Sequence, residues 1–230
     1  MAIYTIDKGN SCETTLRWEG EKHFKSDLIL KKNDQILVSN VSKKQYPDTH
    51  LDIKNLENIA SYIPFEINYD LNLGVDRLMA ALGSWYKYKD SPKTLIIDAG
   101  TFTTVDLITR TSFEGGLILP GNQLLKETYH KGSNLFGYNL EPANEMSFPL
   151  KNTSDCVAKS IPIVLSLAYE KIIKNHEAKT IIITGGNRDF HFDLIKSLQL
   201  HGVQVFIEEF IIHRGLKEFF NLYQNRSRHN

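Results

Sequence analysis

The turn Asp7-Lys8-Gly9-Asn10-Ser11 places a carboxylate, a glycine and a hydroxyl directly after the apolar run Ala2 to Ile6. A tight turn of this composition lines up backbone N–H groups for phosphate oxygens, and its carboxylate can hold Mg²⁺ directly or through water. Alone it reads better as an ordinary hairpin turn made of residues that tolerate turn geometry. The run Asp98-Ala99-Gly100-Thr101 repeats the arrangement after a second apolar stretch, with Thr103, Thr104 and Asp106 following. Two such turns facing each other would grip a polyphosphate and its metal from both sides, which is an arrangement for phosphoryl transfer.

A third group, Gly74-Val75-Asp76-Arg77, opens an amphipathic stretch in which Leu78, Ala81, Leu82 and Trp85 recur at three- and four-residue spacing. A helix begins at or near Val75 on this pattern, and its N-terminal N–H groups favour an anion. Asp76 beside Arg77 could accept a proton from a substrate hydroxyl, or could simply cap the helix. Glycine turns at Gly115-Gly116, Pro120-Gly121, Gly132 and Thr184-Gly185-Gly186 complete the set. The last of these ends a strand with no side chain to obstruct a planar ligand. His23, His50, His130, His191 and His213 show no paired helical spacing, so zinc is not supported.

The elements that would hold these groups fall into two similar series. The first runs strand Ala2 to Ile6, strand Cys12 to Trp18, strands Phe24 to Leu30 and Gln35 to Ser39, a short helix within Asp52 to Ser61, strand Pro64 to Tyr69 and the helix from Val75. A charged stretch ending at Pro92 marks the boundary, giving lobes 1–91 and 92–230. The second series has strands Thr94 to Asp98, Thr103 to Thr109 and Gly116 to Leu119, and a helix Gln123 to His130. It continues with a loop through Pro142 and Pro149, a long helix Thr153 to Asn175 containing Pro162, and strand Thr180 to Thr184. A helix Phe192 to Leu200, strand Val203 to Ile207, a helix His213 to Tyr223 and a solvated tail from Gln224 close it. Strands first, then helix and strand in alternation, in both halves, implies an α/β chain of two tandem lobes with mixed sheets flanked by helices.

Whole-chain numbers narrow the partners. Among 230 residues, Lys plus Arg and Asp plus Glu are equal at 27 each, which offers no long-range attraction to nucleic acid or an acidic membrane. The two cysteines, Cys12 and Cys156, suggest neither a disulfide framework nor a metal site. The N-terminal apolar run is too short for a signal peptide, and the apolar stretch Ile161 to Tyr169 ends at Glu170-Lys171, too soon to span a bilayer. A cytoplasmic protein is the expectation.

Taken in order, these motifs together with Asn152-Thr153 resemble the type III pantothenate kinase family over almost the full chain. The resemblance implies an actin-like ATPase fold of two ribonuclease-H-like lobes. It also implies a homodimer and ATP-dependent phosphorylation of pantothenate to 4′-phosphopantothenate, the first step toward coenzyme A. ATP, Mg²⁺ and a monovalent cation, K⁺ or NH₄⁺, come with it. By the same resemblance Asp7, Lys8, Gly9, Asn10, Ser11, Cys12, Glu13 and Thr14 form the phosphate segment, with Asp7 near the metal. Asp98 holds the monovalent cation and Thr101 touches ATP. Asp76 is the proton acceptor, and Gly74, Val75, Asp76 and Arg77 bind pantothenate with Tyr69, while Thr153 reaches the site from the partner subunit. Ser11 stands where the family usually has threonine, and Tyr69 lies closer to Gly74 than the family tyrosine does. Rival readings are a sugar or acetate kinase of the same fold, and a diverged nucleotide-binding regulator without turnover.

Overall fold

Alternating apolar residues at the two ends of the chain and near-continuous apolar runs in its middle dictate two kinds of strand, half-buried and fully buried. A computed structural model describes residues 2–227 except 28–30, 32–33, 48–49, 57, 71 and 133–147. In chain order the elements are β1 (Ile3–Lys8), β2 (Glu13–Glu19), β3 (Lys22–Lys25), β4 (Gln35–Asn40), β5 (Leu51–Asp52), β6 (Glu66–Ile67) and α1 (Val75–Lys87). They continue as β7 (Lys93–Ala99), β8 (Phe102–Thr109), β9 (Ser112–Pro120), α2 (Asn122–Gly132), α3 (Thr153–His176), β10 (Thr180–Thr184), α4 (Arg188–Ser197), β11 (Gln204–Ile207) and α5 (Ile211–Ser227).

The chain forms two compact units. One comprises Met1–Asp90, Ile108–Gly115 and Phe210–Asn230, and the other Ser91–Leu107 and Gly116–Glu209. The first change of unit falls between Asp90 and Ser91, and the first unit regains the chain at Ile108–Gly115 and again at Phe210–Asn230, where the apolar face of α5 is buried.

In the first unit the sheet order is β3-β2-β1-β4-β5. β1 pairs antiparallel with β2 and parallel with β4, so Asp7 lies opposite Thr14 on one side and Ser39 on the other. Tyr4, Ile6, Ile36 and Val38 make an apolar cluster on one face of this sheet. Alternation sends Thr5 to the opposite side, where its hydroxyl meets the Nδ1 of His213 on α5 at 2.9 Å and accepts the Trp18 Nε1–H at 2.8 Å. α5 packs along α1, and the two helices approach so closely that a Cβ on Gly215 would overlap the Met79 carbonyl. Lys217 and Arg214 of α5 pair with Glu21 at the β2–β3 turn.

The second unit repeats the strand order. Its sheet reads β9-β8-β7-β10-β11, again third, second, first, fourth and fifth in chain order, with β6 added beyond β9. The added strand pairs parallel with the Ser112–Phe113 end of β9, a segment that groups with the first unit. β7 and β10 are parallel and almost wholly buried, which explains their unbroken apolar runs. Leu95, Ile97, Ile181 and Ile183 pack with Leu165, Tyr169 and Ile173 of α3 and with Leu194 and Ile195 of α4. Asn152 caps α3 by accepting the Asp155 N–H at 2.8 Å.

Several expected elements differ. The helix within Asp52 to Ser61 is instead two 3-10 turns, Ile53–Asn55 and Ile59–Tyr62. Asp52 caps the first from its side chain, and Asn58 in the left-handed region at φ 54° separates them, so no α-turn propagates. α4 begins four residues before Phe192, at Arg188, because Gly185-Gly186 ends the preceding turn directly ahead of it. α5 runs from Ile211 to Ser227, so the described part of the tail is helical. The strand expected over Phe24 to Leu30 is shorter and earlier, at Lys22–Lys25; residues 28–30 and the Pro142 loop lie outside the described residues. Among the described residues no helix is long and apolar enough to cross a membrane.

Two buried histidines make stability depend on pH. Burial pushes His213 down to about 3 and His191 down to about 4. Both values lie below that of an unfolded histidine, about 6.5, so on acidification the unfolded chain takes up protons first. Their contribution is intact above about pH 6.5 and falls as the pH drops toward those lower values, by roughly 1.4 kcal/mol per unit for each group. Urea titrations are expected to show His213→Gln losing about 2 kcal/mol less than the wild type between about pH 7 and about pH 5. Equal losses would remove His213 from the acid response.

Candidate functional site

In the first unit the C-terminal ends of the parallel strands β1 and β4 lie side by side, the position at which open α/β sheets place their ligands. The residues from Asp7 through Thr14 form the hairpin that leaves this edge. Asp7, Lys8 and Glu13, Thr14 are paired strand residues; Gly9, Asn10, Ser11 and Cys12 make the tip, with Asn10, Ser11 and Cys12 exposed. The Lys8 ammonium reaches the Cys12 carbonyl at 3.5 Å. The loop after β4 closes on the hairpin: Glu13 accepts hydrogen bonds from Lys44 at 2.5 Å and from Tyr46 at 2.8 Å. Partial burial of Glu13 acts to raise its pKa, but these two bonds and the Lys44 charge outweigh it and hold the carboxyl below its usual range. Sequence reading missed Lys44 and Tyr46, whose partner lies 31 residues or more away and leaves no local signal.

A second cluster in the same unit surrounds the start of α1. Val75 is the first helical residue and Gly74 its N-cap, with no side-chain cap of its own. The Asp76 carboxylate curls back to accept the Arg77 N–H at 2.8 Å and lies over Gly74, where a Cβ would stand 2.6 Å from its oxygen. A Cβ at this position would make the Asp76 carboxylate shift from where it lies. Arg77 is only 6% exposed. Its guanidinium lies 4.8 Å from the Tyr69 ring and 5.8 Å from the Phe113 ring, and donates to the Tyr69 hydroxyl at 3.2 Å. Tyr69, placed just after β6, thus meets Arg77 despite its short separation from Gly74. Phe113 was not singled out by sequence, where it falls between the strands expected at Thr103 to Thr109 and Gly116 to Leu119.

In the second unit Asp98 and Ala99 end β7, and the turn Gly100-Thr101 leads into β8. Gly100 donates to the Phe102 carbonyl at 3.1 Å and Gly121 to the Thr101 carbonyl at 3.0 Å. Asp98 lies opposite Thr184 in the parallel register of β7 and β10. The following Gly185 sits at φ 87° and passes so near that a Cβ would be 2.6 Å from the Asp98 oxygen. Only glycine meets both conditions. The turn is fixed by Asn187 donating to the Ala99 carbonyl at 2.9 Å, and Gly186 faces open space. Asp98, the Gly185-Gly186 turn and the start of α4 are thereby brought together. Thr153 lies elsewhere in this unit, exposed at the first turn of α3.

Among the described residues no cluster of three or more His, Cys, Asp or Glu side chains could hold a metal. Asp7 and Asp98 each offer a single carboxylate near the end of a strand, the donor set of a cation that keeps most of its shell in water and substrate phosphates.

Residues 24–175 match the family model described as type III pantothenate kinase. A type III pantothenate kinase of Campylobacter hominis is 35% identical over 143 residues, 61% of this chain and 63% of that relative. The chain thus spans less than two thirds of the length of the first curated relatives it matches. A Campylobacter jejuni crystal structure, described as a conserved Baf family transcriptional activator, superposes with a TM-score of 0.62 at 25% identity. That match covers 96% of this chain and 99% of the other. The ADPNP-bound activator of a 2-hydroxyisocaproyl-CoA dehydratase from Clostridium difficile superposes with a TM-score of 0.54 at 8% identity, covering 99% and 98% of the two chains. The fold is that of the actin-like ATPases and sugar kinases. The chain belongs to the type III pantothenate kinase family.

Proposed function

We propose that the protein phosphorylates the primary hydroxyl of pantothenate with ATP, giving 4′-phosphopantothenate and ADP, the first step of coenzyme A biosynthesis in the cytoplasm. The observation that carries this reading is the start of α1, where the Asp76 carboxylate lies over a glycine next to a buried, aromatic-braced Arg77. That pair supplies what a hydroxy acid needs: a cation for the carboxylate and a base for the hydroxyl. Asp76 takes the hydroxyl proton as the oxygen attacks the terminal phosphorus, and the bond to ADP breaks. Gly74, Val75, Arg77 and Tyr69 hold the substrate.

The hairpin residues Asp7 through Thr14 bind the ATP phosphates through backbone N–H groups and the Lys8 ammonium, and Asp7 supplies the carboxylate for Mg²⁺. Thr101 contacts ATP, and Asp98 holds K⁺ or NH₄⁺ beside the Gly185 turn. Cations bound at Asp7 and Asp98 would supply positive charge for the phosphoryl oxygens. Thr153 completes the pantothenate site of a partner subunit in a homodimer.

The test is ADP release with and without pantothenate, in K⁺ and in Na⁺. Release is expected to depend on pantothenate and to fall in Na⁺; pantothenate-independent release would contradict the proposal. The likeness to a protein described as a transcriptional activator favours one alternative, a nucleotide-binding regulator. Such a protein would bind ATP without any pantothenate-dependent release.

A further inference from the structure

We infer that Phe113 is a positioning residue for the carboxylate-binding cation, acting through Arg77 and Tyr69 without touching the substrate. The inference deepens the proposed function and rests on it.

Phe113 is fully buried, with 0% of its surface exposed, so no ligand reaches it. It nevertheless touches both groups assigned to the substrate. Its ring lies 5.8 Å from the Arg77 guanidinium and meets the Tyr69 ring edge-on at 5.9 Å and 81°. Tyr69 in turn lies 4.8 Å from the same guanidinium and accepts its hydrogen bond. Arg77 is therefore held by two rings set nearly at right angles, with a hydroxyl at one end. A long, flexible cation in water would lose rotamer freedom on gripping a carboxylate; a braced one has already lost it.

The brace is assembled by backbone pairing. The segment bearing Tyr69 docks parallel on β9: Ile67 lies opposite Phe113, and Asn68 donates to the Phe113 carbonyl at 2.9 Å. The Asn68 side chain donates to Glu114 at 3.2 Å, fixing the strand on its outer side. Room for the Tyr69 ring comes from Gly115, at φ 87°, where a Cβ would press on the ring at 3.1 Å. The residues Phe113-Glu114-Gly115 therefore set where Tyr69 lies, and Tyr69 with Phe113 sets where Arg77 lies.

The test is steady-state kinetics of Phe113→Leu, which keeps apolar volume and removes the ring face. Two substrates are compared: pantothenate, and its analogue with the carboxylate reduced to an alcohol. For pantothenate, KM is expected to rise about tenfold with kcat within about twofold, the scale of one desolvated cation–π contact. KM for ATP and KM for the alcohol analogue should stay at the wild-type values. Tyr69→Phe, which retains the ring, should show a smaller rise than Phe113→Leu; if Phe113→Leu does not fold, Phe113→Met, which also removes the ring face, provides the measurement with the same expected rise. An unchanged pantothenate KM in a wild-type-active background, or an equal rise for the alcohol, overturns the positioning role alone. A wild type that neither binds nor phosphorylates pantothenate overturns the functional reading, and the positioning role with it.

Discussion

Replacing Asp76 by asparagine is expected to lower turnover of pantothenate by about a thousandfold or more while leaving the fold and substrate binding in place. Asparagine keeps the shape of the side chain, and its carbonyl oxygen can still accept the Arg77 N–H that Asp76 accepts at 2.8 Å. What it removes is the capacity to take a proton. The carboxylate sits in the first turn of α1, held over the helix end by the Arg77 N–H. The check is kcat with a direct binding measurement in parallel. Near-normal turnover in the variant would remove Asp76 from the mechanism; lost binding would make it a substrate ligand instead.

The second large effect concerns the scaffold beneath that carboxylate. Gly215→Ala is expected to destabilise the first unit by roughly 3 kcal/mol or more, read as a lower urea midpoint. At this point α5 crosses α1, and the added Cβ would overlap the Met79 carbonyl, a backbone atom that cannot rotate away. Across the same contact a Cβ on Gly83 would overlap the Ile211 carbonyl, so the crossing depends on both glycines. Relief requires the helices to part, which moves α1 and with it Asp76 and Arg77. Gly132→Ala, where a Cβ meets nothing within 4 Å among the described residues, should be close to neutral and serves as the control. A stable Gly215→Ala variant would show that the crossing is looser than the close approach implies.

The sequence made the strands and the chemistry-bearing turns legible because both are local. The apolar runs of β7 and β10 read as strands, the first of them as a buried one, and Gly74 ahead of an i, i+3, i+4 pattern marks the start of α1 correctly. The elements that resisted reading are those decided by distant partners. Ile53, Leu56 and Ile59 have helical spacing, yet the chain there becomes two 3-10 turns once Asp52 caps the first and Asn58 turns left-handed. That α5 belongs with α1, through the Gly83 and Gly215 contact, has no trace in either helix alone.

The candidate site divides in the same way. Asp76, Arg77, Asp98 and the Gly185-Gly186 turn stood out by type and spacing. Phe113 did not, because it falls between two expected strands, and only the start of β9 at Ser112 and its pairing with β6 bring it to Arg77. Tyr46 and Lys44 are likewise visible only once the loop after β4 folds over Glu13. Long-range pairing, not residue type, carried the missing information.

Phosphorus NMR of a reaction containing only the protein, ATP, Mg²⁺, K⁺ and pantothenate tests the central claim most directly. A phosphomonoester signal on the pantothenate primary hydroxyl, growing in step with ADP, is the predicted result. ADP accompanied by inorganic phosphate alone, or ATP left intact, would contradict it.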